Sequence, residues 1–120
     1  LKYLAMSGRV GKIAAGMANM LNIRPILTIR DGKLDMLERV RTKRVAMQRL
    51  VELVVTSVGS SSVERVAFIH VNNLEDTNLL ETELRKQLSL PEEVLKVEFT
   101  PGLSVHAGDG LVGVAIVTVE

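Results

Sequence analysis

Residues 23–33 read IRPILTIRDGK, and the fold turns on this stretch. An apolar strand runs into Asp31-Gly32, a dipeptide that accepts the positive φ angles a tight hairpin demands. Pro25 stands at the start of the strand, where a missing N–H costs least. Residues 33–40, KLDMLERV, then read as the returning strand, with Leu34, Met36 and Val40 expected on one side. Past the hairpin the period changes. From Arg41 to about Ser57, Ala46, Met47, Leu50, Val51, Val54 and Val55 recur at helical spacing, and Thr42 is placed to cap the helix start.

Further along, GSSSVE (59–64) reads as a loop. RVAFIHV (65–71) is a continuous apolar strand, expected to be central and covered on both faces. Asn73 is a natural N-cap, with Glu75 and Asp76 favourable in the first helical turn. That helix carries Leu80, Leu84 and Leu88 on one stripe and ends near Arg85 and Lys86. LPEEVLKVEFT (90–100) leads through Pro91 into another strand, and LVGVAIVTVE (111–120) alternates as a final one. Toward the N-terminus, residues 1–7 (LKYLAMS) read as the end of a helix stopped by Gly8. Val10, Ile13, Ala14, Met17, Met20 and Leu21 predict a further helix over residues 9–21. The sum is an α/β (α+β) fold: one domain over residues 1–120, with a mixed sheet of about five strands and about three helices. It has one hairpin, one crossover helix and no internal repeat.

Composition narrows the function. The 120 residues are 47% hydrophobic and 24% charged, ordinary for a globular domain. There is no cysteine, which excludes disulfides and thiolate metal sites and fits a reducing compartment. A formal net charge of +1 gives no strong pull on nucleic acid or anionic membrane. Tyr3, Phe68 and Phe99 are the only aromatics, too few for a base-stacking platform. No apolar run approaches the roughly 20 residues of a membrane span. The chain starts at Leu1, in what reads as mid-helix, and a fragment of a longer protein is the expectation.

Four features could carry chemistry. Arg9 follows Gly8 at a helix start, where free N–H groups and the guanidinium could hold an oxyanion; the alternative is a solvated surface arginine. ERVRTKR (38–44) is basic, but strand alternation puts Arg39 and Arg41 on one face while Lys43 and Arg44 belong to the helix, so the patch is split. HAGDG (106–110) sets His106 beside Gly108 and Gly110, whose backbones can approach a ligand closely; the alternative is a tight turn with a histidine bonded to backbone. His70 reads as a satisfied core or strand-end residue. Met6, Met17 and Met20 could line a cleft for a floppy apolar ligand or simply fill core. There is no metal-ligand spacing, Walker loop, GxSxG or HExxH. Two histidines and one loop do not make a self-sufficient enzyme.

The order of motifs resembles the C-terminal domain of the DegV family: Gly8-Arg9-Val10, Arg24-Pro25-Ile26-Leu27, Asp31-Gly32, Val40-Arg41-Thr42, and the closing His106 before a glycine turn. The resemblance runs over essentially the whole chain. It implies a bacterial, cytoplasmic fatty-acid-binding protein of two lobes, with a long-chain fatty acid between them and no cofactor. It also implies a carrier that presents the acyl carboxylate to a separate fatty acid kinase subunit. By this resemblance His106, with Gly108 and Gly110, lies at the carboxylate and Arg9 serves the kinase contact. Met17 and Met20 are then expected toward the acyl chain or cleft. Asp109 departs from the usual proline. The N-terminal lobe is absent, so the chain should hold half a site, and the isolated lobe could self-associate as a homo-oligomer. The other reading is a regulatory or protein-interaction domain without lipid binding, which a polar rather than apolar cleft face would favour.

Overall fold

The structure, a computed structural model, describes residues 3–7, 24–98 and 110–119. Two helices and six strands lie in these segments: β1 (Tyr3–Ser7), β2 (Arg24–Arg30), β3 (Lys33–Val40), α1 (Lys43–Val58), β4 (Ser62–His70), α2 (Leu74–Gln87), β5 (Leu95–Glu98) and β6 (Val112–Val119). All six strands join one sheet in the order β3-β2-β1-β6-β4-β5. Pairing is antiparallel except between β4 and β5, which run parallel because α2 carries the chain across.

The mixed sheet expected from the sequence is present, with one strand more. Residues 1–7 do not end a helix: Tyr3–Ser7 is β1, seated between β2 and β6. Leu, Ala and Met are good helix formers, but five residues are too few for period to decide, and the two flanking ladders supply the hydrogen bonds that make this segment a strand. The helix expected over residues 9–21 lies outside the described residues.

The hairpin forms as the turn chemistry demands. Asp31 and Gly32 both take positive φ, 52° and 75°, the primed turn that matches strand twist. Its register holds a surprise. Ile26 pairs with Glu38 but Leu27 pairs with Met36, leaving Leu37 as a bulge. One extra residue inverts side-chain parity. Val40 therefore joins Ile26 in the main core, while Met36 packs with Leu27 on the opposite face. The expectation that Met36 and Val40 share a side fails for this reason.

α1 begins at Thr42, whose hydroxyl accepts from the Val45 N–H at 3.2 Å, and closes at Gly59. Ala46, Leu50, Val51, Val54 and Val58 bury against the sheet, with Met47 and Val55 half-buried beside them. α2 adds Leu80 and Leu84, both wholly buried. From the sheet come Ile26, Val66, Phe68, Val112, Val114 and Ile116. This is the main core. β4 is interior in the sheet, as expected, but fully buried on one face only: Val66, Phe68 and His70 are buried while Ala67 and Ile69 are half-buried. α1 and α2 pack against the Phe68 side alone.

The other face is apolar and partly open. Cross-strand partners share a face, so Leu95, Ala67 and Ala115 lie together there, as do Val97, Ile69 and Gly113. Leu95 and Val97 are 62% and 40% exposed, and Ile29 and Val119, on the same face, are exposed as well. Two surface ion-pair groups brace the helix side. Glu38 of β3 takes a two-pronged contact from Arg49 of α1, and Arg49 also meets Glu52. Glu81 of α2 accepts from Lys96 of β5 at 2.8 Å and from Arg85 at 2.9 Å.

Candidate functional site

The described end of the HAGDG loop is Gly110, and the backbone around it is closely held. β4 and β6 are antiparallel neighbours, and their pairing continues past the strand ends. The Val71 N–H donates to the Leu111 carbonyl at 3.0 Å, and the Gly110 N–H donates to the Val71 carbonyl at 3.1 Å. Gly110 has φ +96°, a conformation L side chains rarely adopt. Space is not the constraint: a Cβ there would meet nothing nearer than Asn73 Nδ2 at 3.9 Å.

Asn73 ties this turn to the start of α2. Its Nδ2 donates to the Gly110 carbonyl at 3.0 Å and to Asp76 Oδ2 at 2.9 Å. Its Oδ1 accepts the Asp76 N–H at 3.3 Å, the N-cap bond, and its carbonyl accepts from the Thr77 hydroxyl at 2.8 Å. The Asn73 N–H donates to His70 Nδ1 at 3.0 Å. His70 is thus a buried strand-end histidine, as expected from sequence, only 5% exposed and with Nδ1 accepting from the Asn73 N–H. Asp76, itself buried, also meets Lys43 Nζ at 3.1 Å, which links the starts of the two helices. Asn73 Oδ1 and Nδ2 and both carboxylate oxygens of Asp76 each have a partner of complementary kind.

Beside the knot, on the sheet face away from α1 and α2, Leu27, Val71 and Leu111 form a small buried cluster with Met36 packed on it. Leu111 follows Gly110 directly. An apolar floor therefore begins where the glycine loop rejoins the sheet.

A family model described as "Uncharacterised protein, DegV family" matches residues 1–119. The chain belongs to the DegV family. A DegV domain-containing protein of Halalkalibacterium halodurans is 32% identical over 115 residues, covering 96% of this chain and 40% of that protein. The chain spans about two fifths of the length of the curated relatives it matches. Among solved structures, a fatty acid binding DegV family protein from Streptococcus agalactiae superposes with a TM-score of 0.76 at 26% identity, covering 98% of this chain and 44% of that one. The fatty acid kinase (Fak) B3 protein of Streptococcus pneumoniae, loaded with linoleic acid, shares the fold with a TM-score of 0.69 at 19% identity, over 93% of this chain and 43% of that one.

Of the residues singled out in this DegV chain, Gly110 is described and sits on the knot. Arg9, Met17, Met20, His106 and Gly108 lie outside the described residues, as does Asp109. The basic run is dispersed as expected: Lys43 is engaged by Asp76, Arg39 donates to Met36 Sδ at 3.3 Å, and Arg41 and Arg44 are exposed. Among the described residues no group of three or more His, Asp or Glu side chains could hold a metal ion, and no helix is long and apolar enough to cross a membrane. Sequence reading found Asn73 as a cap but missed its bond to Gly110, because nothing local announces a contact across 37 residues.

Proposed function

We propose that this chain is the C-terminal lobe of a two-lobe fatty-acid carrier and that it holds one side of a long-chain acyl group on the sheet face away from α1 and α2. The observation that carries this reading is that face: the Leu27–Val71–Leu111 cluster with Met36, flanked by exposed Ile29, Leu95, Val97 and Val119. Exposed apolar surface of this kind calls for an apolar cover. Membership of a family with a fatty-acid-binding member at 26% identity supports it. So does a chain length near two fifths of its relatives, which fits one lobe of a longer protein.

In this reading the carboxylate end lies at the loop that closes through Gly110. His106 donates to the carboxylate, Gly108 and Gly110 leave room for it, and Met17 and Met20 extend the apolar cleft. Arg9 serves contact with a separate fatty acid kinase, so the chain is a carrier and not the phosphotransferase. An apolar face favours this over a regulatory domain without lipid. Native mass spectrometry of the full-length parent tests it: a co-purifying acyl chain of one or two lengths is expected. A parent that carries no lipid and binds neither palmitate nor oleate would overturn the proposal.

A further inference from the structure

The turn between β4 and α2 is closed by a histidine ring. His70 Nδ1 accepts the Asn73 N–H at 3.0 Å, across Val71 and Asn72. Asn72 is held inside that turn at φ +49°, a left-handed conformation that asparagine adopts more readily than other residues with a Cβ, but still at some cost. Asn73, at the end of the turn, joins three elements. Its Oδ1 caps α2 at the Asp76 N–H, its carbonyl accepts from the Thr77 hydroxyl and N–H, and its Nδ2 holds the Gly110 carbonyl at 3.0 Å. One bond to a ring nitrogen therefore stands behind both the α2 cap and the tie to the start of β6.

That bond tolerates one protonation state. An accepting ring nitrogen carries no proton, whereas an imidazolium has an N–H at both nitrogens, so protonated His70 would set a donor against the Asn73 donor. Histidine is the side chain whose charge ordinarily changes between about pH 5 and pH 8. Among the described residues, four elements bring groups to this ring. Glu98 of β5 is the cross-strand partner of His70 and shares its face, while Val112, the partner on β6, is uncharged. Lys96, on the same face of β5, is turned to Glu81 and Asn78 of α2. Asp76 of α2 lies behind Asn73 Nδ2, and Lys43 of α1 meets Asp76 at 3.1 Å. Glu98 is exposed, so a turned imidazolium has a carboxylate to face.

We propose that the β4–α2 turn is a proton-operated latch: a proton taken up from solvent at His70 Nδ1 breaks its bond to the Asn73 N–H, frees Asn72 to leave the left-handed region, and loosens the tie between α2 and Gly110. The latch is closed at higher pH and opens as pH falls. It stands apart from the carrier reading and does not depend on it.

The test follows the backbone amides and the assigned histidine rings of the full-length parent protein by heteronuclear NMR, from about pH 8 to about pH 5. The Asn73 and Gly110 amide resonances should move with one midpoint, and that midpoint should match the titration of the His70 ring. The protection factor of the Asn73 amide against hydrogen exchange should fall roughly three- to tenfold across the same range, the worth of one neutral hydrogen bond. His70→Asn puts an amide oxygen near the place of Nδ1, an acceptor that takes up no proton in this range. Asn73 and Gly110 should then stop responding, with the Asn73 amide protected at both ends. An Asn73 amide that stays unchanged while the His70 ring titrates overturns the latch. So does a His70 ring that remains neutral to the end of the titration, or a response that survives in His70→Asn. If His70→Asn does not fold, the match or mismatch of midpoints in the wild-type protein decides.

Discussion

Ile26 and Leu27 are adjacent in β2 and point to opposite faces of the sheet, so paired truncations separate the folding core from the lipid face. Ile26 is wholly buried in the main core with Phe68 and Leu50. Ile26→Ala removes three carbons from a site packed on all sides, and should cost about 2–5 kcal/mol of stability. Leu27 is nearly as buried, but among the described residues its buried cluster holds just Val71 and Leu111, with the partly buried Met36 packed on it. Flexible methionine can relax into the gap, so Leu27→Ala should cost less, about 1–2 kcal/mol. The lipid effects should run the other way. Leu27 turns only 5% of its surface outward, roughly 10 Å², so the direct loss of acyl contact should be about 0.25 kcal/mol, roughly a 1.5-fold weaker Kd. Ile26→Ala touches no part of that face and should leave the affinity of folded protein unchanged. Urea unfolding and palmitate titration of the two full-length variants check both halves. Equal stability losses for the two variants, or a larger loss of affinity for Ile26→Ala than for Leu27→Ala, would refute the division of labour between the faces.

His106→Ala should weaken fatty acid binding by roughly ten- to a hundred-and-fifty-fold, the range of a hydrogen bond to a charged group. Arg9→Ala should leave lipid affinity nearly unchanged while acyl phosphate production by the kinase partner falls; binding titrations and a coupled kinase assay separate the two. Thr42→Ala removes the N-cap bond of α1 and should lower stability by about 1 kcal/mol, read from the urea midpoint at unchanged m. Glu38 is held below the ordinary carboxylate range by hydrogen bonding to Arg49, and Glu81 by Lys96 and then Arg85. Because these folded-state values are depressed, their contribution is complete above the usual glutamate value, about 4.5, and is lost as pH falls through the folded-state values. Urea midpoints should therefore drop below that pH, and the double variant Glu38→Gln, Glu81→Gln should show a shallower acid slope.

What the sequence determined by itself is local. Asp31-Gly32 dictates its turn because few other residues accept both φ values. Thr42 and Asn73 cap the helices expected of them, and the apolar stripes of α1 and α2 bury as their periods require. Val112, Val114, Ile116 and Thr118 alternate into the core along β6. In each case neighbours within a few residues supply the deciding interaction. Tertiary structure alone decided the rest. Tyr3–Ser7 became a strand because β2 and β6, distant in sequence, offered ladders on both sides. The bulge at Leu37 turned Met36 to one face and Val40 to the other, and alternation cannot foresee an inserted residue. The apolar face and the grip of Asn73 on Gly110 arise only when the ends of β4 and β6 meet, since burial and a hydrogen bond depend on distance in space and not on separation along the chain.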